Sequence, residues 1–412
     1  MNYLVELTSQ LPLAAFSIVI AEIIRDFYHI AGHYWQPLQA GHLLHHKAYR
    51  ADLSVVSVEA YRQAQWHNDV PEAIAMVVST AAIAYLGYYL GQGYSLIIGS
   101  VYSVLFLITS IARAQGLLIA TDLTHKPGDL LTIPSEWTVN RTYHWRHHFD
   151  RGEAYFCSTF TVVDKILGTA LALKGKTIAV TGANGALGRS LINQLQAQGA
   201  RVVALTTSEC TFGKNIEVIT WSAGQESELT DRLQKVDILI INHGMNAYGD
   251  RSPEAIQKSF EVNTFSAWRL MEIFFDTVQQ SKHKAIKEVW INTSEAEVNP
   301  AFSPLYEMSK RTLGDLITLR RLGAPCVVRK LVLGAFKSNL NPIGIMSPDF
   351  VAWAILELAK RDFRDIIVTF NPFTYLIFPV KELGRSLYFR LFSKNAPSSI
   401  PSPEIRVENE SH

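Results

Sequence analysis

The sequence predicts two unlike halves: an α-helical, transmembrane, histidine-rich domain able to hold two metal ions, then a doubly wound α/β domain. Three observations carry this expectation. Histidines gather at regular spacing around a very apolar stretch, and ten of the thirteen lie before residue 150. That stretch is long enough to fold as a membrane hairpin. From Leu173 onward, short apolar strands alternate with helices behind a glycine-rich turn, the pattern of a parallel sheet covered on both faces.

At 412 residues the chain has room for two domains. A net charge of +1 gives no reason to expect nucleic acid as a partner. Hydrophobic residues make up 48%, high for a soluble protein, and the excess falls before residue 120. Cys157, Cys210 and Cys326 form no CxxC pair, which argues against a disulfide framework or thiolate metal site and points to a reducing compartment. The N-terminus lacks the basic region and small-residue cleavage site of a signal peptide, so membrane delivery rests on the apolar spans.

Taken in order, residues 11–24 predict an apolar helix that is short for a full crossing. Next comes DFYHIAGHYWQPLQAGHLLHH, residues 26–46, in which His29 and His33 read HxxxH and His42, His45 and His46 read HxxHH. On a helix, positions i, i+3 and i+4 share a face, so each cluster aims its imidazoles one way. Residues 47–72 read as polar and helical, and His67 there either approaches the metal centre or is a surface or supporting histidine. Residues 73–90 and 94–111 are uncharged runs joined at Gly91-Gln92-Gly93. Two crossings return the chain to its starting side, where His144, His147 and His148 repeat HxxHH. Neutral imidazole binds Fe, Zn and Cu, and zinc takes only four ligands. Eight clustered histidines therefore imply two ions. A structural zinc site fits the same residues.

This combined spacing resembles the fatty acid hydroxylase/sterol desaturase superfamily over residues 10–172, continuing into Tyr155 and the VVDKILGT run at 162–169. Ile30 stands where the superfamily usually has Arg. The resemblance implies that His125 joins the other eight as a metal ligand, that the ions are two irons, and that they activate O2 to hydroxylate or desaturate a membrane lipid. It further implies an external ferredoxin- or cytochrome-like electron donor, since the sequence shows no flavin, haem or iron–sulfur motif. The histidine face and the second domain would lie on the cytoplasmic side. Two alternatives stay open: hydrocarbon formation from a fatty aldehyde, as in plant wax-synthesis proteins with a similar first domain, or a zinc-stabilised anchor for a reductase.

In the second half, residues 177–180 predict a strand, 181–188 a glycine-rich turn and 189–198 a helix. A helix N-terminus behind such a turn accepts a pyrophosphate. Strands at 236–241 and 289–292 follow, the first running into Asn242-His243-Gly244 and the second to Ser294. Asn263 lies on a helix in FEVNTF, and Tyr306 and Lys310 form YxxxK. Together, residues 174–395 resemble the short-chain dehydrogenase/reductase family, with its Rossmann fold. By that resemblance Tyr306 is the general acid or base and Lys310 lowers its pKa and holds the ribose. Ser294 orients the substrate oxygen, and Asn263 supports a relay water. Thr181, Gly182, Asn184, Gly185, Gly188, Arg189, Asn242, Gly244 and Ser338 contact an NADP or NAD cofactor.

The sequence departs from the family at three points: Ala186 replaces the second glycine, His243 interrupts the usual NAG, and the interval from Ser294 to Tyr306 is one residue short. The last leaves Thr293 and Glu295 as competitors for the serine's role. The second strand (202–205) runs into the neutral Thr206-Thr207-Ser208, which leans towards NADP with Arg189 assisting. Residues 363–394 interleave aromatic and basic side chains, which fits either a membrane-surface helix or a substrate lid. The Pro/Ser-rich tail 396–412 reads as disordered. The whole reads as a bifunctional membrane oxidoreductase: lipid hydroxylation or desaturation at iron, and alcohol–carbonyl exchange with NAD(P)(H).

Overall fold

The computed structural model describes residues 2–394 except 92, 93, 120, 214 and 215, so the expected tail at 396–412 and part of the hairpin turn lie outside the described residues. The first half is helical. Helix α1 (Asn2–Tyr34) runs 33 residues without a break, so the apolar segment and the HxxxH cluster share one rod instead of two elements. Trp35 leaves helical geometry and Pro37 sits in the first turn of α2 (Gln36–Lys47), which carries HxxHH. Residues 48–57, expected to be helical, form a loop tied by the Tyr49–Val55 bridge. Ser57 caps α3 (Val58–Ala64), its hydroxyl accepting from Ala60 N at 3.1 Å. A π turn (Gln65–Asp69) passes directly into α4 (Val70–Tyr89), and α5 (Ile97–Ala114) returns antiparallel to it. The continuous rod Val58–Tyr89 and α5 are long and apolar enough to cross a membrane.

A polar seam fastens α1 to this hairpin. Arg25 donates to Glu72 at 2.8 Å and stacks 4.5 Å from the Phe106 ring, while the Tyr102 hydroxyl donates to Glu22. Helices α6 (Arg141–Phe149), bearing the second HxxHH, and α7 (Val162–Leu167) complete the half. The aspartate of the VVDKILGT run anchors them: Asp164 accepts from Phe156 N, Cys157 N, Tyr143 Oη and Thr169 Oγ1 within 2.6–3.0 Å.

The second half is built on seven parallel strands in the order β3-β2-β1-β4-β5-β6-β7. In chain order these are β1 (Thr177–Thr181), α8 (Ala186–Ala197), β2 (Arg201–Thr206), β3 (Glu217–Thr220), α9 (Thr230–Gln234), β4 (Ile238–Ile241), α10 (Pro253–Phe260) and α11 (Ser266–Asp276). Then come α12 (His283–Ile286), β5 (Glu288–Asn292), α13 (Pro304–Arg321), β6 (Val327–Leu333), α14 (Pro348–Lys360), β7 (Asp365–Val368) and α15 (Pro372–Phe392). Strand β4 is an apolar run buried throughout, as expected in a doubly covered parallel sheet, and β6 is buried throughout although it carries Arg329 and Lys330. Two apolar cores result, one under α8 and α14 and one under α11 and α13.

The two halves meet at the edge where the strands begin. Arg146 of α6 donates to Ala285 O at 2.5 Å and pairs with Glu288, the first residue of β5, at 3.1 Å. Arg329 holds the same carboxylate at 2.8 Å and Asp362 at 2.7 Å, all fully buried. Lys165 donates to the carbonyls of Arg361 and Asp362, and Lys176 pairs with Asp150 at 2.7 Å.

Candidate active site and candidate metal centre

All nine histidines expected as ligands converge, in two buried groups. His29, His33, His42, His46 and His147 form one, and His45, His125, His144 and His148 the other. Within each group the candidate ligand atoms lie within 4.8 Å of one another. His67 is exposed and joins neither. The backbone explains the convergence. Gly41 lets α2 press against the π turn, since a Cβ there would stand 2.2 Å from His67 O.

The spacing of the imidazoles bears on what they can hold. Neighbouring Nε2 atoms stand 2.9 Å (His29–His147), 2.7 Å (His33–His42) and 2.9 Å (His42–His46) apart in the first group. In the second they are 3.1 Å (His125–His148), 3.0 Å (His125–His144) and 3.1 Å (His144–His148) apart. With metal–nitrogen bonds of about 2.1 Å, right-angled ligands sit about 3.0 Å apart and tetrahedral ones about 3.4 Å. Separations of this size suit right-angled ligands on a shared ion and equally N–H···N contacts between the rings, so they admit a metal without selecting one.

Partners on the far ring nitrogens fix four of these rings. The Nδ1 atoms of His147, His42, His125 and His45 face Ala154 O at 2.8 Å, Asn68 Oδ1 at 3.3 Å, Asp122 Oδ2 at 3.1 Å and Asp69 Oδ1 at 3.4 Å. Such partners orient ligand imidazoles and raise their basicity. Burial, reinforced by neighbouring imidazoles, holds His144 and His148 well below the ordinary histidine value, so both are neutral and have lone pairs to donate. His45 moves the other way: burial pushes it down, but the surrounding carboxylates, Asp69 first and then Glu72 and Asp122, together more than reverse this. Sequence reasoning missed Asn68, Asp69 and Asp122. Asp122 stands three residues before His125, a spacing that could have revealed it; Asn68 and Asp69 sit on a π turn, whose extra residue shifts the helical phase.

The second site opens at the opposite edge of the sheet, where the strands end. A cavity of about 1060 Å³ lies there, at the crevice between β1 and β4 where strand order reverses. Its wall includes Ser294, Tyr306 and Lys310 of the expected catalytic set, with Gly182, Asn184, Gly185, Asn242, Gly244 and Ser338 of the expected cofactor set. Lys310 Nζ donates to Asn292 O at 2.9 Å and lies 6.0 Å from the Tyr306 ring centre. Burial pushes the Tyr306 phenol up while its hydrogen bond to Ser294 draws it back; burial brings Lys310 down to about 8. Ser294 is thus the member of its trio that meets Tyr306. The Thr293 hydroxyl turns to Leu331 O at 3.4 Å, and Glu295 accepts from Thr369 Oγ1 at 2.7 Å.

Four expected site residues stand off the cavity wall. Thr181 is buried, its hydroxyl accepting from Asn242 N at 2.8 Å, so it clips β1 to the loop after β4. Gly188 permits close packing of α8 on the turn, since a Cβ would meet Gly182 O at 2.2 Å. Asn263, on a second π turn (Glu261–Phe265), clamps Met245 through both its N–H, at 2.8 Å, and its carbonyl, at 3.0 Å. Its amide also donates to Ser309 at 3.0 Å, so the side chain braces the wall. Arg189 donates to Asn184 Oδ1 at 3.1 Å, beside Ser208 at the end of β2. The turn, the Gly182 φ of 61° and the open N-terminus of α8 form a cradle that suits a dinucleotide pyrophosphate.

A family model described as short chain dehydrogenase matches residues 176–321. Over 403 residues the chain is 54% identical to the monoglucosyldiacylglycerol epimerase of Synechocystis sp., covering 94% of this chain and 98% of that one. The chain belongs to the family of that epimerase. It is therefore an enzyme of the oxidoreductase kind, with a short chain dehydrogenase domain. The ketoacyl reductase HetN of Nostoc sp. is 23% identical over 235 residues, covering 49% of this chain and 81% of that one. A short chain dehydrogenase of Burkholderia cenocepacia, solved with NADP, superposes with a TM-score of 0.45 at 18% identity, over 54% of this chain and 100% of that one.

Proposed function

We propose that the chain epimerises a hydroxyl-bearing carbon in the sugar headgroup of a glucosyl diacylglycerol, using NAD(P) as a resident hydride carrier. The observation that carries this is the Ser294–Tyr306–Lys310 constellation in a cavity of about 1060 Å³ within a member of that epimerase's family. A bound nicotinamide would accept the carbinol hydride and return it to the opposite face of the resulting ketone. The exchange is redox-neutral and requires no external electron donor at this site. Tyr306 takes the alcohol proton at Oη and gives it back. Its burial keeps the phenol protonated, so acting as a base requires a cation beside it, and Lys310 is the group placed to supply one. Ser294 orients the reacting oxygen. Both faces of one carbon must meet the same hydride carrier, so the headgroup has to turn, and a cavity at the large end of ligand pockets leaves room for that.

A second reading concerns the first half. The imidazole separations near 3.0 Å admit, and the carboxylate support behind them favours, two metal ions, held by the five- and four-histidine groups, in a domain inserted in the membrane through the rod Val58–Tyr89 and α5. Iron there would supply O2 activation, with reducing equivalents from a ferredoxin- or cytochrome-like partner. The Nε2 atoms are the ligand donors, and Asp69 and Asp122 hold their rings in place.

The test uses the purified full chain with glucosyl diacylglycerol deuterated at its carbinol positions and catalytic NAD(P)+. The expected product is the epimeric glycolipid with its deuterium retained, and no product from Tyr306→Phe. A substrate left unchanged under all cofactor and metal additions would overturn the proposal.

A further inference from the structure

Helix α15 follows β7 and packs through a narrow face. Thr374, Phe378 and Glu382, four residues apart, are buried, and Lys381 pairs with Glu297 at 2.6 Å and Asp315 at 3.2 Å. The opposite face is apolar along the whole helix. Phe373, Leu376, Val380, Leu383, Leu387 and Leu391 recur every three or four residues, and every one is exposed. At 100° per residue these positions share one stripe. Ile377, Gly384 and Tyr388 fill the gaps between them, so no charged residue interrupts it. An unbroken exposed stripe of this length is a binding surface and not ordinary surface scatter.

Its two ends say what it meets. At the start, Asn299 donates to Thr374 at 2.8 Å and Thr374 donates to Glu295 of the cavity wall at 3.3 Å, which places the helix N-terminus at the catalytic edge. The cavity rim there is also apolar, with Phe302 97% and Ile343 90% exposed. Halfway along, Glu382 accepts from Lys330 at 2.7 Å and pairs with Arg321, which in turn holds Asp365 at the first residue of β7. The helix thus runs back along the sheet to the edge where the histidine half docks. Residues 383–392 then continue for about 15 Å at 1.5 Å per residue, towards the half that bears the apolar hairpin.

We propose that α15 lies in the interface of the bilayer that the hairpin crosses, its stripe buried among the acyl chains. The occupant is a lipid surface, because the stripe joins the rim of the catalytic cavity at one end to the membrane-spanning half at the other. Arg390 flanks the stripe, as cationic residues flank interfacial helices. This placement sets Phe302 and Ile343 against the membrane, so a diacylglycerol-anchored headgroup enters the cavity without leaving the bilayer. No residue of α15 is part of the cavity wall, so the helix stands beside the mouth.

The test uses the full chain in lipid nanodiscs with Cys210→Ser, since Cys157 and Cys326 are buried. Leu376→Cys, Leu387→Cys and the exposed control Lys258→Cys carry an environment-sensitive fluorophore, quenched either by lipids with nitroxide on the acyl chain or by aqueous iodide. The two stripe positions should lose most of their emission to the lipid quencher and little to iodide, with Lys258→Cys showing the reverse. Stripe labels quenched by iodide, or shielded from both quenchers as at an interface between two copies, overturn the proposal. The readout needs no turnover, so its failure is distinct from failure of the epimerase reading.

Discussion

Replacing Glu288 by glutamine should separate the contribution of one buried carboxylate from the rest of the fold. Glu288 is fully buried and takes Arg329 at 2.8 Å and Arg146 at 3.1 Å, while Asp362 serves Arg329 and Arg364. Three guanidiniums thus share two carboxylates, and the substitution leaves them one. Breaking a buried pair from one side costs about 3–5 kcal/mol, because the remaining charge is stranded. The carboxyl's own titration gives a similar figure. Burial pushes it up, but Arg329 and Arg146 more than reverse this and bring it from the ordinary 4.5 down to about 2, equivalent to about 3 kcal/mol. Because the folded value is depressed, this stabilisation is complete above pH 4.5 and disappears as pH falls towards 2. Thermal unfolding of the detergent-solubilised chain should show Glu288→Gln melting roughly 3–6 °C lower between pH 5 and 8. The gap should close under acid. Glu217→Gln, whose pair with Arg232 is half exposed, is the control and should shift little. If the two variants melt alike at pH 7, the charge cluster does not clasp the halves and the reasoning fails.

Tyr306→Phe should abolish NAD(P)-linked turnover, a loss of at least roughly 10²-fold, with unchanged melting; residual activity near the parent level would remove the phenol from the chemistry. Asp69→Asn and Asp122→Asn should each weaken metal retention about 10–100-fold, measured as metal per chain after chelator dialysis, while Asp52→Asn on the surface should not. Gly41→Ala should reduce metal content by pushing α2 off the π turn, read by elemental analysis beside circular dichroism; normal metal binding would show that the close approach to His67 O relaxes freely.

The catalytic constellation was legible because its members occur in chain order with short fixed intervals. Tyr306 and Lys310 are one helical turn apart on α13, and Ser294 follows a strand that any apolar pattern reveals. Eight of the histidines were legible for the same reason, since each cluster is locally periodic and the apolar hairpin reunites them, whereas His125 was implied only by the resemblance. What the sequence concealed are contacts between residues far apart that bear no periodic mark. Glu288, Arg329, Asp362 and Arg146 look like four unrelated surface charges, and only the docking of α6 on the sheet buries them together. Roles were also blurred inside motifs. Asn263 and Thr181 occupy motif positions, yet their side chains are engaged by backbone groups and by Ser309 and His243, and brace the wall instead of lining it.

The placement of the two sites constrains how they cooperate. Strand β5 begins at Glu288, docked on the helix that carries His144, His147 and His148, and ends at Asn292, whose carbonyl holds Lys310. Four steps of about 3.3 Å separate those residues, so the sites lie on opposite edges of one sheet. No single headgroup can touch both, which weakens the expectation that a hydroxyl made at the metals passes directly to the nicotinamide site. A redox-neutral epimerisation needs no such transfer. The clasp at Glu288 matters for orientation: it fixes the cavity mouth relative to the half that bears the apolar hairpin.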